Sequence, residues 1–105
     1  MRLLLLPVLA LHLTAGAQNV SETKEGRAYM GCLLSQTQKL DDYISDARTV
    51  GGAAAEVCSR EVIAAFSSVA PSASTDPDMR ESVMDSARKL ATTIVLQNRV
   101  ERRKK

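Results

Sequence analysis

Two cysteines, Cys32 and Cys58, flank a break at Ser45-Asp46 that lies about thirteen residues from each. In an antiparallel helical hairpin, positions equidistant from the turn sit side by side, so this spacing favours two helices folded back on each other. Disulfides persist in oxidising compartments and are rare in the cytosol, so the pairing turns on where the chain goes. Arg2 supplies a positive n-region, Leu3 to Leu13 an apolar run, and Ala15-Gly16-Ala17 a small-x-small cleavage pattern. Residues 1–17 therefore read as a secretory signal peptide. As a helix the run spans about 16 Å, short of the ~30 Å bilayer core, so removal is expected rather than anchoring. An exported chain with two cysteines so placed is expected to join Cys32 to Cys58.

Cleavage after Ala17 leaves one small domain from Gln18 to Lys105. A domain of this size buries only roughly 60–70% of its unfolded surface. Its only aromatic residues are Tyr29, Tyr43 and Phe66. A covalent staple compensates for so thin a core. The helical domain is placed at 18–98 and divides into three segments of helical period. The first, about 21–45, carries Tyr29, Met30, Leu33, Leu40, Tyr43 and Ile44, with Ser21 or Thr23 as cap. The second, about 47–69, starts from Ser45 or Asp46 and carries Val50, Ala54, Val57, Cys58, Val62, Ala65, Phe66 and Val69. Gly51-Gly52 at its start allows two backbones to approach closely. Residues 71–75 have loop composition, and Asp76-Pro77-Asp78 opens a third helix over about 77–98, with Met79, Val83, Ala87, Leu90 and Ile94 on one face. No strand-like alternation persists. The expected fold is all-α: a three-helix bundle whose first two helices form a hairpin clamped by one disulfide.

The formal net charge of +2 hides an asymmetry. The segment 99–105 holds five positive charges and one negative, so the remainder of the mature chain is acidic overall. Beyond Ile94 the core face meets polar residues, so 99–105 is expected to be an exposed, frayed basic tail whose deletion leaves the thermal midpoint nearly unchanged. Arg99, Arg102, Arg103, Lys104 and Lys105 are its candidate contacts to an anionic surface. By helical geometry Arg88, Arg99, Arg102 and Arg103 share a sector opposite the core, and Leu96 and Val100 form a small apolar strip beside the charges. Without interleaved aromatics for stacking, nucleic acid is a disfavoured partner.

Candidate chemistry is sparse. The only histidine, His12, lies in the signal segment, so the mature chain lacks the commonest general base and metal ligand. There is no G-x-S-x-G elbow, P-loop or G-x-G-x-x-G. Asp41, Asp42 and Asp46 lack the glycine and terminal glutamate of a calcium loop, and read as caps and solvated charge, with Asp41 or Asp42 pairing to Arg48 around the turn. No catalytic residue, metal or cofactor is expected. A redox dithiol usually has C-x-x-C spacing, so a thiol-redox factor is the least favoured reading of Cys32 and Cys58. Asn19-Val20-Ser21 fits the N-glycosylation pattern.

Cys32, the run Leu40-Asp41-Asp42-x-x-Ser45-Asp46-Ala47, Val50 and Cys58 resemble a pattern in small exported helical proteins of proteobacteria. The resemblance implies a periplasmic helical protein and supplies no catalytic residues. The chain thus reads as a periplasmic or secreted, non-enzymatic protein that binds or stabilises a partner in the cell envelope. Peripheral association with anionic lipid through the basic tail is the alternative.

Overall fold

A computed structural model of the chain describes residues 22–104. The signal segment 1–17, the Asn19 pattern and Lys105 lie outside the described residues. Among the described residues there are helices and no strands: α1 Lys24–Leu40, α2 Ala47–Val57, α3 Ser59–Ser67, α4 Ser72–Thr75 and α5 Pro77–Lys104. The all-α expectation and the Cys32–Cys58 bridge are both present. The three-helix count and the simple hairpin are not.

α1 starts where Thr23 Oγ1 accepts from the Gly26 N–H at 2.9 Å. It buries Tyr29, Leu33 and Thr37 on one face, and the Thr37 hydroxyl donates to the Leu33 carbonyl at 2.7 Å. It ends at Leu40, five residues before the sequence periodicity does. The reason is local. The carboxylates of Asp41 and Asp42 accept the backbone N–H groups of Tyr43, Ile44 and Ser45, and so satisfy donors that a continuing helix would have used. Leu40, Tyr43 and Ile44, expected on the buried face, are therefore exposed.

α2 starts at Asp46, whose carboxylate accepts from the Thr49 N–H at 2.8 Å. The expected single helix 47–69 is interrupted at Cys58, which leaves the helical region (φ −91°, ψ 13°) and separates α2 from α3. The disulfide is anchored at that joint, with the two Cα atoms 5.9 Å apart. The joint lets the two halves face different partners. α2 packs chiefly along α5, and α3 chiefly along α1. The clamp thus ties α1 to an elbow rather than to the middle of a partner helix. Val57 and Val69 fall outside the core.

Pro71-Ser72-Ala73-Ser74-Thr75, expected as a loop, contains the single turn α4, which buries Ala73. α5 opens as expected at Pro77, with the Asp76 carboxylate accepting from the Asp78 N–H at 2.9 Å. Its buried residues are Val83, Met84, Ala87, Ala91, Ile94 and Val95, while Met79 is exposed. The main core joins these to Leu33, Val62 and the Tyr29–Phe66 ring pair, whose centroids are 5.8 Å apart. At Gly51, though not at Gly52, the α2 backbone comes against α5 at Thr92. α5 extends through Lys104, past the expected end at residue 98. That extension carries its last arginines alongside the α1–α2 loop.

Candidate docking surface around the Asp41–Arg99 lock

Arg99 is not part of a frayed tail. Its Nη2 donates to Asp41 Oδ1 at 2.7 Å and to the Ser45 carbonyl at 2.6 Å, and its Nε donates to Asp41 Oδ2 at 3.2 Å. The two side chains are 17% and 4% exposed. A fork of charge-assisted bonds therefore fastens the α1–α2 loop to the end of α5. Asp41 takes this partner instead of Arg48. The sector placed opposite the core is corrected with it. Val95, one turn before Arg99, is fully buried, so Arg99 lies at the edge of the packed face. Arg88, one edge residue further back, donates to Glu56 at 3.1 Å and to Glu81 at 2.9 Å, tying α5 to α2.

The loop itself is closely specified. Asp42 accepts from the Ile44 and Ser45 N–H groups at 2.9 and 2.8 Å and from the Ser45 hydroxyl at 2.7 Å. Tyr43 is turned into the left-handed region at φ 62°, a conformation that non-glycine residues rarely adopt. Its N–H donates to Asp41 Oδ1 at 2.9 Å, and the Arg102 guanidinium lies 3.6 Å above its ring centroid. Ile44 is 89% exposed. Leu96 and Val100, within one turn of Arg99, form the exposed apolar strip that their helical spacing predicts. Of the candidate anionic-surface residues, Arg99 is locked, Arg102 covers Tyr43, and Lys104 pairs with Glu101 at 3.2 Å. Arg103 is exposed beside Tyr43 and Arg102. Lys105 lies outside the described residues.

Three carboxyls of this segment are more acidic than usual. The Arg99 guanidinium lowers Asp41, helped by the Tyr43 N–H. The Ser45 hydroxyl and N–H groups bring Asp42 from 3.8 down to about 2. The Thr49 N–H and hydroxyl lower Asp46. A carboxyl that is more acidic folded than unfolded contributes stability above its unfolded value, here 3.8, and loses it as pH falls through its folded value. The loop is therefore expected to loosen between pH 3.8 and about 2. Asp41→Asn should lower the thermal midpoint by several degrees at pH 7, and the deficit should shrink as pH falls and the native carboxyl takes up its proton. Deleting 99–105 should lower the midpoint at pH 7, and deleting 103–105 should not. Calorimetry of all three variants at pH 7 and at a series of lower pH values reads these differences.

Cys58 is fully buried and Cys32 partly so, which shields the bridge from attacking thiols. Among the described residues no group of three or more His, Cys, Asp or Glu could hold a metal ion, and no helix is long and apolar enough to cross a membrane. Local periodicity does not show the Asp41–Arg99 pair, whose members lie 58 residues apart. The usable signal was the apolar Val95 one turn before Arg99. No family profile, curated protein or solved structure matches this chain.

Proposed function

We propose that this is an exported, non-enzymatic docking protein that binds a protein partner of the cell envelope through its locked end. The observation that carries the reading is Ile44, held almost fully in water on a loop that Asp41, Asp42 and Arg99 fix from three sides. A loop fixed before binding loses little conformational freedom on binding. Tyrosine and arginine, which dominate the energetics of protein interfaces, stand next to it as Tyr43 and Arg102. The partner surface that fits is an apolar recess for Ile44 with an acidic rim facing Arg102 and Arg103. A shielded disulfide and the signal-like residues 1–17 support export.

A second reading rests on a different observation. Leu96 and Val100 beside Arg103 could seat the end of α5 on anionic lipid. One experiment separates the two. Protein taken from its producing cells should have an intact mass beginning at Gln18. Oxidative footprinting of the envelope fraction should protect Tyr43, Ile44 and Leu96 relative to the purified protein, and leave Leu34 and Val57, exposed elsewhere, unchanged. Equal labelling in both preparations would refute docking at this end. The same protection from protein-free anionic vesicles would assign the surface to lipid.

A further inference from the structure

A shallow groove forms where α3, α4 and the first turn of α5 meet, lined by Arg60, Arg80, Ser59, Ser67, Ser74 and Ile63. It is separate from the locked end, since Arg80 and Arg99 stand about 28 Å apart along α5 at 1.5 Å per residue. Among the described residues no carboxylate lines it. That is unusual on a body whose charge outside 99–105 is acidic overall. Arg88 and Arg99 are each satisfied by acidic partners. Arg60 and Arg80 have no ion pair, side-chain hydrogen bond or ring contact among the described residues. Each also sits in the first turn of its helix, the end at which the backbone dipole disfavours a cation.

The hydroxyls supply an independent observation. Ser67 Oγ is buried, and among the described residues neither it nor the Ser59 hydroxyl has a hydrogen-bond partner. Buried polar groups are ordinarily satisfied, so an orphan hydroxyl lining the same groove as two uncompensated guanidinium groups is a further donor available to acceptor oxygens. The Ser74 proton is already used, donated to the Pro71 carbonyl at 3.0 Å.

We propose that this groove binds a phosphate monoester. The two guanidinium forks match the oxygens of a tetrahedral oxyanion and can each donate twice to it. Ser59 donates to a remaining oxygen, and a rotation of Ser67 turns its orphan hydroxyl toward the ligand. Ile63 offers an apolar wall to the organic part of the ester. The pull is local, arising from two unpaired cations with no acid between them rather than from the net charge of the protein.

The test is an NMR titration of the mature, oxidised protein with glycerol 3-phosphate, against sodium chloride at matched ionic strength. Saturable shifts are expected at the Arg60 and Arg80 side-chain N–H groups and at Ser67. Arg60→Gln or Arg80→Gln should weaken binding about tenfold or more, as loss of a charge-assisted pair requires. Ser67→Ala should weaken it less, and Arg48→Gln, outside the groove, should leave it unchanged. A parallel arm uses vesicles containing phosphatidic acid. Binding to the soluble ester alone identifies a free ligand, and binding to both identifies a lipid headgroup. Shifts that never saturate, that spread over all exposed arginines, or that survive the Arg60→Gln/Arg80→Gln double variant would overturn the site. Vesicle binding without these shifts would also overturn it, and would leave the locked end as the contact.

Discussion

Reduction of the Cys32–Cys58 bridge is expected to lower the thermal midpoint by about 15–25 °C. The chain-entropy relation gives about 3.5 kcal/mol for a loop of this length. In a domain of this size each kcal/mol moves the midpoint by roughly 4–8 °C. The bridge also sits at the elbow between α2 and α3, so cutting it frees α1 from the point at which both of those helices are oriented. Cys32→Ala is the cleaner substitution, because it leaves the Cys58 thiol as a small buried hydrophobe. Cys58→Ser would add the separate cost of a hydroxyl in an apolar core. Calorimetry of the oxidised protein, the reduced protein and Cys32→Ala should place the last two together, well below the first. A fall under about 5 °C would show that the bridge decorates a core stable without it.

Gly51→Ala and Gly52→Ala, adjacent and chemically identical, are expected to act in opposite directions. A methyl group on Gly51 would lie 2.6 Å from the Thr92 backbone nitrogen and 2.8 Å from its Cα. Those atoms belong to α5 and cannot rotate away, so α2 and α5 must separate along their whole contact. Overpacking of this kind costs about 3 kcal/mol. A methyl group on Gly52 meets nothing within 4 Å and removes a flexible residue from a helix, a gain of about 0.5–1 kcal/mol. Urea denaturation should show midpoints on either side of the native protein. Two equal, small effects would mean that the helices are not held so close at Thr92.

What could be read from the chain alone follows the range of the forces involved. The caps act over two or three residues: Asp76 lies where the sequence places it, and Thr23 and Asp46 are each one of the two positions the sequence offers. The cysteine pairing was legible because Cys32 and Cys58 lie at near-equal distances from the break at Ser45-Asp46, although an elbow at Cys58 replaces the simple hairpin expected there. The end of α1 was not, because Leu40, Tyr43 and Ile44 keep helical spacing while Asp41 and Asp42 draw off the backbone donors beneath them. The interruption at Cys58 has no glycine or proline to announce it. The last turns of α5 read as a solvated tail in sequence because the partners of Arg99, Asp41 and the Ser45 carbonyl, belong to a distant loop. The Arg60–Arg80 groove draws on three elements and becomes visible only once they are packed.

The order of the pieces along the chain has a consequence for how the molecule comes into being. α2 finds its main partner in α5, the last element of the sequence. A chain delivered N-terminus first presents both Cys32 and Cys58 before any of α5 has emerged, so oxidation can link the first half while most of the core still lacks its second wall. Cys58 is then open to an oxidant that cannot reach it in the finished protein, where it is fully buried. Arrival of α5 closes over the bond, and the Asp41–Arg99 lock cannot form until the turn of α5 that carries Arg99 is present.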